Sequence, residues 1–308
     1  MMRGLVLYGI NNIYTVLIND KEYQCRIKGK VLQTEMEYYN PIAVGDWVEV
    51  VEDSTVGNQG WIIDREERSS IYSRWNRKKN LPQIIAANVD LLVCVSSLDH
   101  PPFRPRFLDR LLIAGRLGNL ETLILINKSD LKADPLYETR IDNYRELGYK
   151  IILCSAKTGQ GMVELKEAIK GKIAVFGGQS GVGKSSILNE IEPGLGLQVG
   201  KISQKYKRGT HTTIFAAMLR LANHDKIIDT PGIREIYIYG IKPGDLRFYF
   251  PEMTEVNHKC AYQSCVHINE PDCFIKELVE KGKIHSDRYE SYLRIYESLI
   301  ELEKEGHG

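Results

Sequence analysis

The chain has 308 residues, of which 43% are hydrophobic, and its formal net charge at pH 7 is +1. This length is enough for two or three domains with hydrophobic cores of their own. The near-neutral charge excludes a protein that is basic throughout, so any surface for nucleic acid has to be local. No apolar run reaches the length of a membrane span or of a signal-peptide core, and we therefore expect a cytoplasmic protein without membrane contact.

Residues 1–68 are predicted to form an all-β domain. Short runs of alternating apolar and polar residues, separated by turn residues, cover 5–8, 13–18, 22–27, 46–51 and 61–63. Five short strands in this length favour a small closed barrel of the OB-fold type. Aromatic side chains in these runs fit either a barrel core or a surface that stacks on RNA bases, and they are Tyr8, Tyr14, Tyr23, Trp47 and Trp61.

Residues 69–83 are predicted to be a basic linker. Within it, Trp75 stands among the cations Arg74, Arg77, Lys78 and Lys79. Such a mixture suits contact with a phosphate backbone, because each cation displaces condensed counterions. A solvated linker without a ligand fits the same composition.

Residues 84–241 are predicted to alternate between strands and helices. Buried parallel strands are indicated by apolar runs over 89–95, 122–126, 151–154, 173–176 and 226–228. Helical patterns between them cover 107–117, 136–147, 162–169 and 185–191. This alternation predicts an α/β fold with a doubly wound, mostly parallel sheet.

The fourth of these strands runs into a predicted phosphate-binding loop. Its pattern, G-x-x-x-x-G-K-S, uses glycines to turn backbone N–H groups towards phosphate oxygens, and the helix that follows offers its N-terminal dipole. Lys184 is expected to reach the β- and γ-phosphates, and the Ser185 hydroxyl to bind Mg²⁺. The predicted phosphate-binding residues are Gly178, Gln179, Ser180, Gly181, Val182, Gly183, Lys184, Ser185 and Ser186.

A second motif, Asn127-Lys128-Ser129-Asp130, ends the strand over 122–126 and predicts a guanine base. A carboxylate at Asp130 can accept hydrogen bonds from guanine N1–H and N2–H₂, which adenine does not offer. Asn127 is expected to tie this loop to the phosphate-binding loop, and the Lys128 stem to cover the ring.

Ser155-Ala156-Lys157 ends the next strand, where the Ala156 N–H can donate to guanine O6. Together with the phosphate-binding loop, the two base motifs predict a guanine nucleotide site.

Asp229-Thr-Pro-Gly232 follows the last strand and is predicted to sense the γ-phosphate and to hold Mg²⁺ through water. The polar, basic stretch 201–213 is predicted to be a switch loop. Within it we favour Thr213 over Thr212 as the residue that closes on Mg²⁺.

Ile233 occupies the position where Ras-type enzymes keep a glutamine that orients the attacking water. An apolar side chain cannot orient water, so His211 is the candidate for this catalytic role, beside Lys184 and Thr213. A histidine that binds RNA or caps the switch loop fits this position equally well.

The order of the motifs predicts a circularly permuted GTPase domain. The base motifs at 127–130 and 155–157 precede the phosphate-binding loop and Asp229, whereas in ordinary GTPases they follow. A doubly wound sheet tolerates this change, because its termini can lie close together. The segment after Asp229 then runs directly into the C-terminal domain, which could receive a switch movement.

Residues 242–308 are predicted to form a helical, zinc-binding C-terminal domain. Three thiolates and one imidazole lie within a short stretch that is rich in turn residues, at Cys260, Cys265, His267 and Cys273. This set suits a closed, tetrahedral, structural Zn²⁺ site with no position left open for catalysis. An amphipathic helix that packs on the body is indicated by Tyr289, Leu293, Tyr296, Leu299 and Ile300.

These motifs together resemble the bacterial RsgA-type small ribosomal subunit biogenesis GTPases. The resemblance covers nearly the whole chain and rests on the barrel, Gly178–Ser185, Gly209-Thr-His-Thr-Thr213, Asp229–Gly232 and the Cys₃His spacing. It implies a GTP hydrolase that binds the immature small subunit and its rRNA through the barrel and the zinc domain. It further implies that hydrolysis is accelerated there, in a late checkpoint or release step. Ile214 stands where the family often has a third threonine, which leaves the choice of Mg²⁺-binding threonine open.

Two other functions are compatible with these residues. One is an RNA-binding module gated by nucleotide, with incidental hydrolysis, which the apolar Ile233 favours. The other is a GTP-dependent metallochaperone or signalling switch, in which zinc would be labile. In each case we expect a monomer that binds GTP or GDP with Mg²⁺.

Overall fold

The computed structural model describes residues 1–29, 32, 38–53, 57–131, 135–197, 216–223, 225–230 and 235–305. The N-terminal strands are β1 (Met2–Ile10), β2 (Ile13–Ile18), β3 (Lys21–Ile27), β4 (Trp47–Glu52) and β5 (Gln59–Arg65). They close into a barrel with neighbours in the order β1-β2-β3-β5-β4, which confirms the predicted five-stranded barrel. Among the neighbouring pairs of described barrel strands, β3 and β5 are the parallel pair, and the others are antiparallel.

The aromatic side chains of the barrel strands divide between the core and the surface. Tyr14 and Tyr23 are buried in the barrel core with Val16 and Cys25. Trp61 instead leaves 40% of its surface exposed. Strand alternation explains this division, because successive side chains point to opposite faces of the barrel wall.

The structure differs from the predicted linker over residues 69–83. Strands β6 (Ile71–Asn76) and β7 (Leu81–Ala87) form an antiparallel hairpin here. Tyr72 and Trp75 are both buried, and at three positions apart in a strand they face opposite sides. A strand that is covered on both faces does not show the polar–apolar alternation by which strands are recognised, and the charged turn resembled a linker.

A six-stranded sheet forms the centre of the molecule. Its strands are β8 (Leu91–Ser97), β9 (Glu121–Asn127), β10 (Ile151–Leu153), β11 (Ile173–Gly178), β12 (Ala217–Arg220) and β13 (Lys226–Asp229). They lie in the order β10-β9-β8-β11-β13-β12, and all are parallel except the edge strand β12. Sequence reasoning missed β12, which has only four residues.

Helices cover both faces of this sheet, as expected for a doubly wound fold. They are α1 (Pro105–Leu117), α2 (Pro135–Glu146), α3 (Met162–Ile169) and α4 (Lys184–Ile191), followed by a short 3₁₀ turn at Pro193–Leu195. Leu111 of α1 and Ile141 of α2 share one core cluster, and Leu165 of α3 and Ile187 of α4 share another. The two clusters lie on opposite faces, because they take alternate residues of β8, Leu92 and Leu91.

The C-terminal part is helical, as predicted. It contains α5 (Pro251–Thr254), α6 (Phe274–Glu280) and α7 (Ser286–Lys304), with 3₁₀ turns at Pro243–Tyr249 and Asn257–Lys259. The buried stripe of α7 consists of Arg288, Ser291, Tyr292, Ile295, Leu299 and Leu302. Of the predicted packing face only Leu299 belongs to it, and the other four residues flank it half-buried. The buried stripe was not recognised in the sequence because two of its positions hold polar residues, Arg288 and Ser291. None of the described helices is both long enough and apolar enough to cross a membrane.

A buried ion cluster joins α7 to the helices of the central sheet. The Arg288 side chain is 2% exposed and donates to Glu252 Oε1 at 2.6 Å and to Asp109 of α1. Tyr144 of α2 donates to the same Asp109 at 2.7 Å. Each buried charge therefore has a partner, and removal of one partner would leave an uncompensated charge inside the protein.

Arg288→Ala is expected to lower the free energy of unfolding by about 3–5 kcal/mol, because Asp109 and Glu252 lose their shared cation. Urea denaturation followed by circular dichroism measures this loss. Arg294→Ala is the matched control, since its pair with Glu297 is solvent-exposed and should contribute less than about 1 kcal/mol. Equal unfolding midpoints for the two variants would contradict the importance of the cluster.

Candidate nucleotide and metal sites

The predicted nucleotide motifs come together at one edge of the central sheet. Asn127 ends β9, Ser155 follows β10, Gly178 ends β11 and Asp229 ends β13. These four strands are parallel, so their carboxyl ends share an edge. Ligands bind at this edge in open α/β sheets.

The loop between β11 and α4 has the backbone geometry of a phosphate-binding loop. Gly181 and Gly183 adopt φ values of +87° and +95°. Residues other than glycine rarely adopt such a conformation. A Cβ atom on Gly183 would also lie 2.2 Å from Asn127 Nδ2. The loop encloses the Lys184 ammonium group, which donates to the carbonyl oxygens of Gly178 at 2.7 Å and Gln179 at 3.0 Å.

Electrostatics at this loop favour a negatively charged ligand. Burial lowers the pKa of Lys184 to about 8, and the Asp229 carboxylate opposes this shift. Burial raises the pKa of Asp229, and the charge of Lys184 offsets only part of this rise. A polyphosphate would supply the negative charge that stabilises the ammonium form of Lys184.

Asn127 connects its own loop, the phosphate-binding loop and the loop after β10. The sequence predicts the first of these connections, from its own loop to the phosphate-binding loop. Its Nδ2 donates to the Val182 carbonyl of the phosphate-binding loop at 2.8 Å. Its Oδ1 accepts from the Ala156 N–H at 3.2 Å and from the Cys154 thiol at 3.8 Å. Both the nitrogen and the oxygen of this buried amide group therefore have partners, and these bonds hold the loops in register.

Asp130 and Ser155 form a hydrogen-bonded pair. Ser155 Oγ donates to Asp130 Oδ1 at 2.6 Å. This bond, with a smaller contribution from the cations Lys157 and Lys128, lowers the pKa of Asp130. The group is therefore a carboxylate at neutral pH, which makes it an acceptor for the two donors of a guanine edge.

Lys128 takes a role that the sequence did not indicate. Its ammonium group donates to the carbonyl oxygens of Gly181 at 3.0 Å and of His100, in the loop after β8. These contacts tie Lys128 to the phosphate-binding loop. The contact of its stem with the guanine ring stays a prediction. Thr230 was also missed; it is buried and donates to the Phe176 carbonyl at 2.6 Å, which fixes the end of β13 against β11.

The remaining predicted residues divide between two groups. Ser185 and Ser186 lie in the first turn of α4, and Ser129 donates its hydroxyl to Gln160 Oε1 at 3.1 Å. The predicted switch residues and the catalytic candidates other than Lys184 lie outside the described residues, and they are His211, Thr212, Thr213, Gly232 and Ile233.

The four predicted metal ligands converge in the C-terminal part. The donor atoms of Cys260, Cys265, His267 and Cys273 all lie within 4.8 Å of one another. His267 Nδ1 is 3.3–3.6 Å from the three sulfur atoms. In a tetrahedral site with ordinary Zn–S and Zn–N bonds, a sulfur and a nitrogen ligand are about 3.6 Å apart. The residues present therefore fit a tetrahedral metal ion.

Hydrogen bonds from outside the cluster hold the ligand loop in shape. Tyr289 and Tyr292 of α7 donate to the carbonyl oxygens of His267 and Val266, both at 2.7 Å. Arg247 donates to the Cys265 carbonyl at 2.7 Å. Hydrogen bonds of this kind orient the residues that bind a metal.

Burial sets the protonation of these ligands. It raises the pKa of Cys265 to about 12 and also raises that of Cys273, whereas it lowers the pKa of His267 to about 4. The imidazole is thus neutral and able to donate a lone pair, while the thiols need a cation to ionise. Metal binding should therefore release protons.

A phosphate-binding loop that follows its base-recognition motifs, on the edge of a doubly wound sheet, defines a circularly permuted GTPase. The model of the RsgA GTPase family matches residues 65–239, and that of the RsgA N-terminal domain matches residues 3–62. The chain belongs to the RsgA GTPase family, and it is a GTP hydrolase.

Similar proteins extend over almost the whole chain. The proteins named small ribosomal subunit biogenesis GTPase RsgA from Borrelia recurrentis (strain A1) and Chlorobaculum parvum are each 40% identical to it. The alignments cover 96% and 97% of this chain and 93% and 99% of those proteins. The crystal structure of YjeQ from Thermotoga maritima matches with a TM-score of 0.72 at 34% identity, over 97% of this chain and 98% of that one. YloQ, described as a circularly permuted GTPase, matches with a TM-score of 0.68 at 28% identity, over 98% and 96%.

Asp130→Asn is expected to weaken GTP binding at least about tenfold, because hydrogen bonds to a charged acceptor contribute about 1.5–3 kcal/mol each. Xanthosine triphosphate should gain affinity, since the asparagine amide can donate to the second carbonyl of xanthine. Equilibrium titration with both nucleotides measures the change. Asp142→Asn, on the exposed side of α2, is the control; an unchanged preference for GTP in Asp130→Asn would rule out this position as the base reader.

Cys265→Ser is expected to abolish metal binding and to make the C-terminal part sensitive to proteases. GTP binding should survive, because the described nucleotide motifs all lie on the central sheet. Elemental analysis, limited proteolysis and nucleotide titration measure these three properties. His258→Ala is the control, since this exposed histidine stands outside the cluster; full metal content in Cys265→Ser would contradict the assigned ligand set.

Proposed function

We propose that this protein hydrolyses GTP during late maturation of the small ribosomal subunit, and that the immature subunit accelerates the hydrolysis. The observation that carries this proposal is the 40% identity, over almost the full length, to proteins named for small-subunit biogenesis. Hydrolysis would then drive a checkpoint or a release step. Binding to the subunit would occur through its rRNA.

Each motif at the sheet edge has a role in this proposal. Asp130 and the Ala156 N–H read the guanine, and the phosphate-binding loop with Lys184 holds the β- and γ-phosphates. Ser185 and Thr213 bind Mg²⁺, Asp229 holds it through water, and Gly232 senses the γ-phosphate. His211 orients the attacking water, because Ile233 offers no polar group for this task.

We also propose that the Cys₃His cluster binds one Zn²⁺ ion with a structural role. Three thiolates and one imidazole are the donor set that Zn²⁺ prefers, and protein atoms fill all four positions. This zinc site would stabilise residues 242–308 as a domain. The other two domains would be the barrel of residues 1–68 and the GTPase domain of residues 84–241. We expect the protein to act as a cytoplasmic monomer.

Two exposed surfaces support contact with rRNA. The turn of the β6–β7 hairpin presents Arg77, Lys78 and Lys79, and the Lys79 ammonium lies 5.9 Å from the centre of the Tyr39 ring. Tyr39 is 42% exposed and Trp61 40%. Exposed cations next to aromatic faces suit phosphate contact and base stacking.

GTP turnover of the purified protein, measured alone and with small ribosomal subunits at fixed salt and Mg²⁺, tests this function. We expect the small subunit to stimulate turnover strongly and the large subunit to have no effect. Lys184→Ala sets the background, and His211→Ala should reduce the stimulated rate without loss of GTP affinity. No stimulation, with GTP and RNA still bound, would favour the alternative of an RNA-binding module gated by nucleotide.

A further inference from the structure

The β6–β7 hairpin packs against the strand that leads into the phosphate-binding loop and against the segment that follows the Asp229 motif. On one face of β6, Tyr72 is fully buried beneath β11, and its hydroxyl would be 3.1 Å from a Cβ atom placed on Gly177. Gly177 directly precedes the first glycine of the phosphate-binding loop. That Cβ atom would also lie 2.8 Å from Leu111 Cδ2, so Tyr72 of the hairpin and Leu111 of α1 leave little space beside the strand that carries the loop.

The other face of β6 contacts the chain that continues from the Asp229 motif. The backbone N–H of Trp75 donates to the Tyr237 carbonyl at 3.0 Å. The hydroxyl groups of Ser73 and Tyr239 are 2.6 Å apart. The rings of Trp75 and Tyr239 lie 6.0 Å apart between centroids. Residues 237–239 thus lie beside β6.

The same short segment is anchored in the core on its opposite side. Ile236 and Ile238 are buried in the main cluster with Val175 of β11 and Tyr292 of α7. Ile-Tyr-Ile-Tyr alternation over 236–239 therefore places the isoleucines in the core and the tyrosines on the hairpin. Only four residues separate Thr230 from Glu235 in the sequence, so this segment is the direct continuation of the Asp229 motif.

The second strand of the hairpin is bonded to the barrel. Asn40 exchanges two hydrogen bonds with the backbone of Ile84, at 2.8 and 3.0 Å. The Ala87 N–H donates to the Val44 carbonyl at 2.8 Å. Gly45 has a φ of +88°, and a Cβ atom there would lie 2.1 Å from the Ala87 carbonyl oxygen. The hairpin is therefore a continuous bridge from the nucleotide site to the barrel.

We propose that the β6–β7 hairpin senses the bound nucleotide, with Trp75 and Tyr239 as positioning residues that pass a change at the Asp229 motif to the barrel. GTPase switch loops move when the γ-phosphate is lost. The segment over 235–239 is the continuation of such a loop, and its contacts with β6 differ in the GTP and GDP states. This inference rests on the role proposed for Asp229, but not on a ribosomal partner.

Trp75 provides its own probe, because the chain has only three tryptophans and the other two, Trp47 and Trp61, belong to the barrel. In a full-length Trp47→Phe/Trp61→Phe variant, emission of Trp75 is compared between GDP and a non-hydrolysable GTP analogue, each with Mg²⁺. Binding of both nucleotides is verified separately with a fluorescently labelled nucleotide. We expect the emission maximum or the acrylamide quenching of Trp75 to differ between the two states.

Tyr239→Phe removes the hydrogen bond to Ser73 and should abolish this difference, while nucleotide affinity stays within about twofold, since Tyr239 is not among the residues that read the base or hold the phosphates. Tyr262→Phe, an exposed tyrosine of the metal-binding part, should keep the difference. Identical Trp75 signals in the two states, with both nucleotides bound, would overturn the inference. Failure of either nucleotide to bind would instead contradict the proposed site.

If the double tryptophan variant does not fold, the wild-type chain labelled with 5-fluorotryptophan replaces it, with the Trp75 resonance assigned from Trp75→Phe. A nucleotide-dependent shift of that resonance, lost in Tyr239→Phe, supports the sensing role. A resonance that is unchanged between GDP and the GTP analogue contradicts it.

Discussion

The side chain of Asn127 holds together three loops that arise from distant parts of the chain, and the nucleotide site depends on this contact. Its amide group donates to Val182, accepts from Ala156 and fits against Gly183 so closely that only glycine is tolerated there. Each such bond contributes only about 1 kcal/mol on balance, but an unpaired buried amide costs more than that. The base-recognition and phosphate-binding loops are thus positioned as one unit.

This local constraint explains why the circular permutation leaves the site intact. The loops meet because the parallel strands β9, β10, β11 and β13 end at one edge, whatever the order in which the chain visits them. What the permutation changes is the destination of the chain after Asp229. It continues through residues 235–241, between β6 and the core, into the part that holds the metal cluster. The buried Arg288 cluster then fastens that part to α1 and α2.

The sequence predicted most of the central sheet, the motifs that meet at its edge and the four residues of the metal cluster. Buried parallel strands, glycine-rich loops and closely spaced cysteines all leave strong local patterns. It missed features that depend on tertiary contacts. The hairpin is covered on both faces, so Tyr72 and Trp75 do not alternate with polar residues. Arg288 occupies a buried position of α7 only because Asp109 and Glu252, far away in sequence, neutralise it. Lys128 contacts Gly181 and His100, and its own backbone has a φ of +64°. No pattern in the sequence predicts this conformation.

Displacement of a fluorescent guanine nucleotide from the intact protein, by GTP and by ATP, tests guanine recognition at this edge most directly. We expect GTP to displace the probe at concentrations at which ATP has no effect, because adenine offers Asp130 no pair of donors. In Asn127→Ala the probe itself should bind weakly, since both loops lose their common support. Equal displacement by ATP and GTP from the wild-type protein would contradict the assignment of this site.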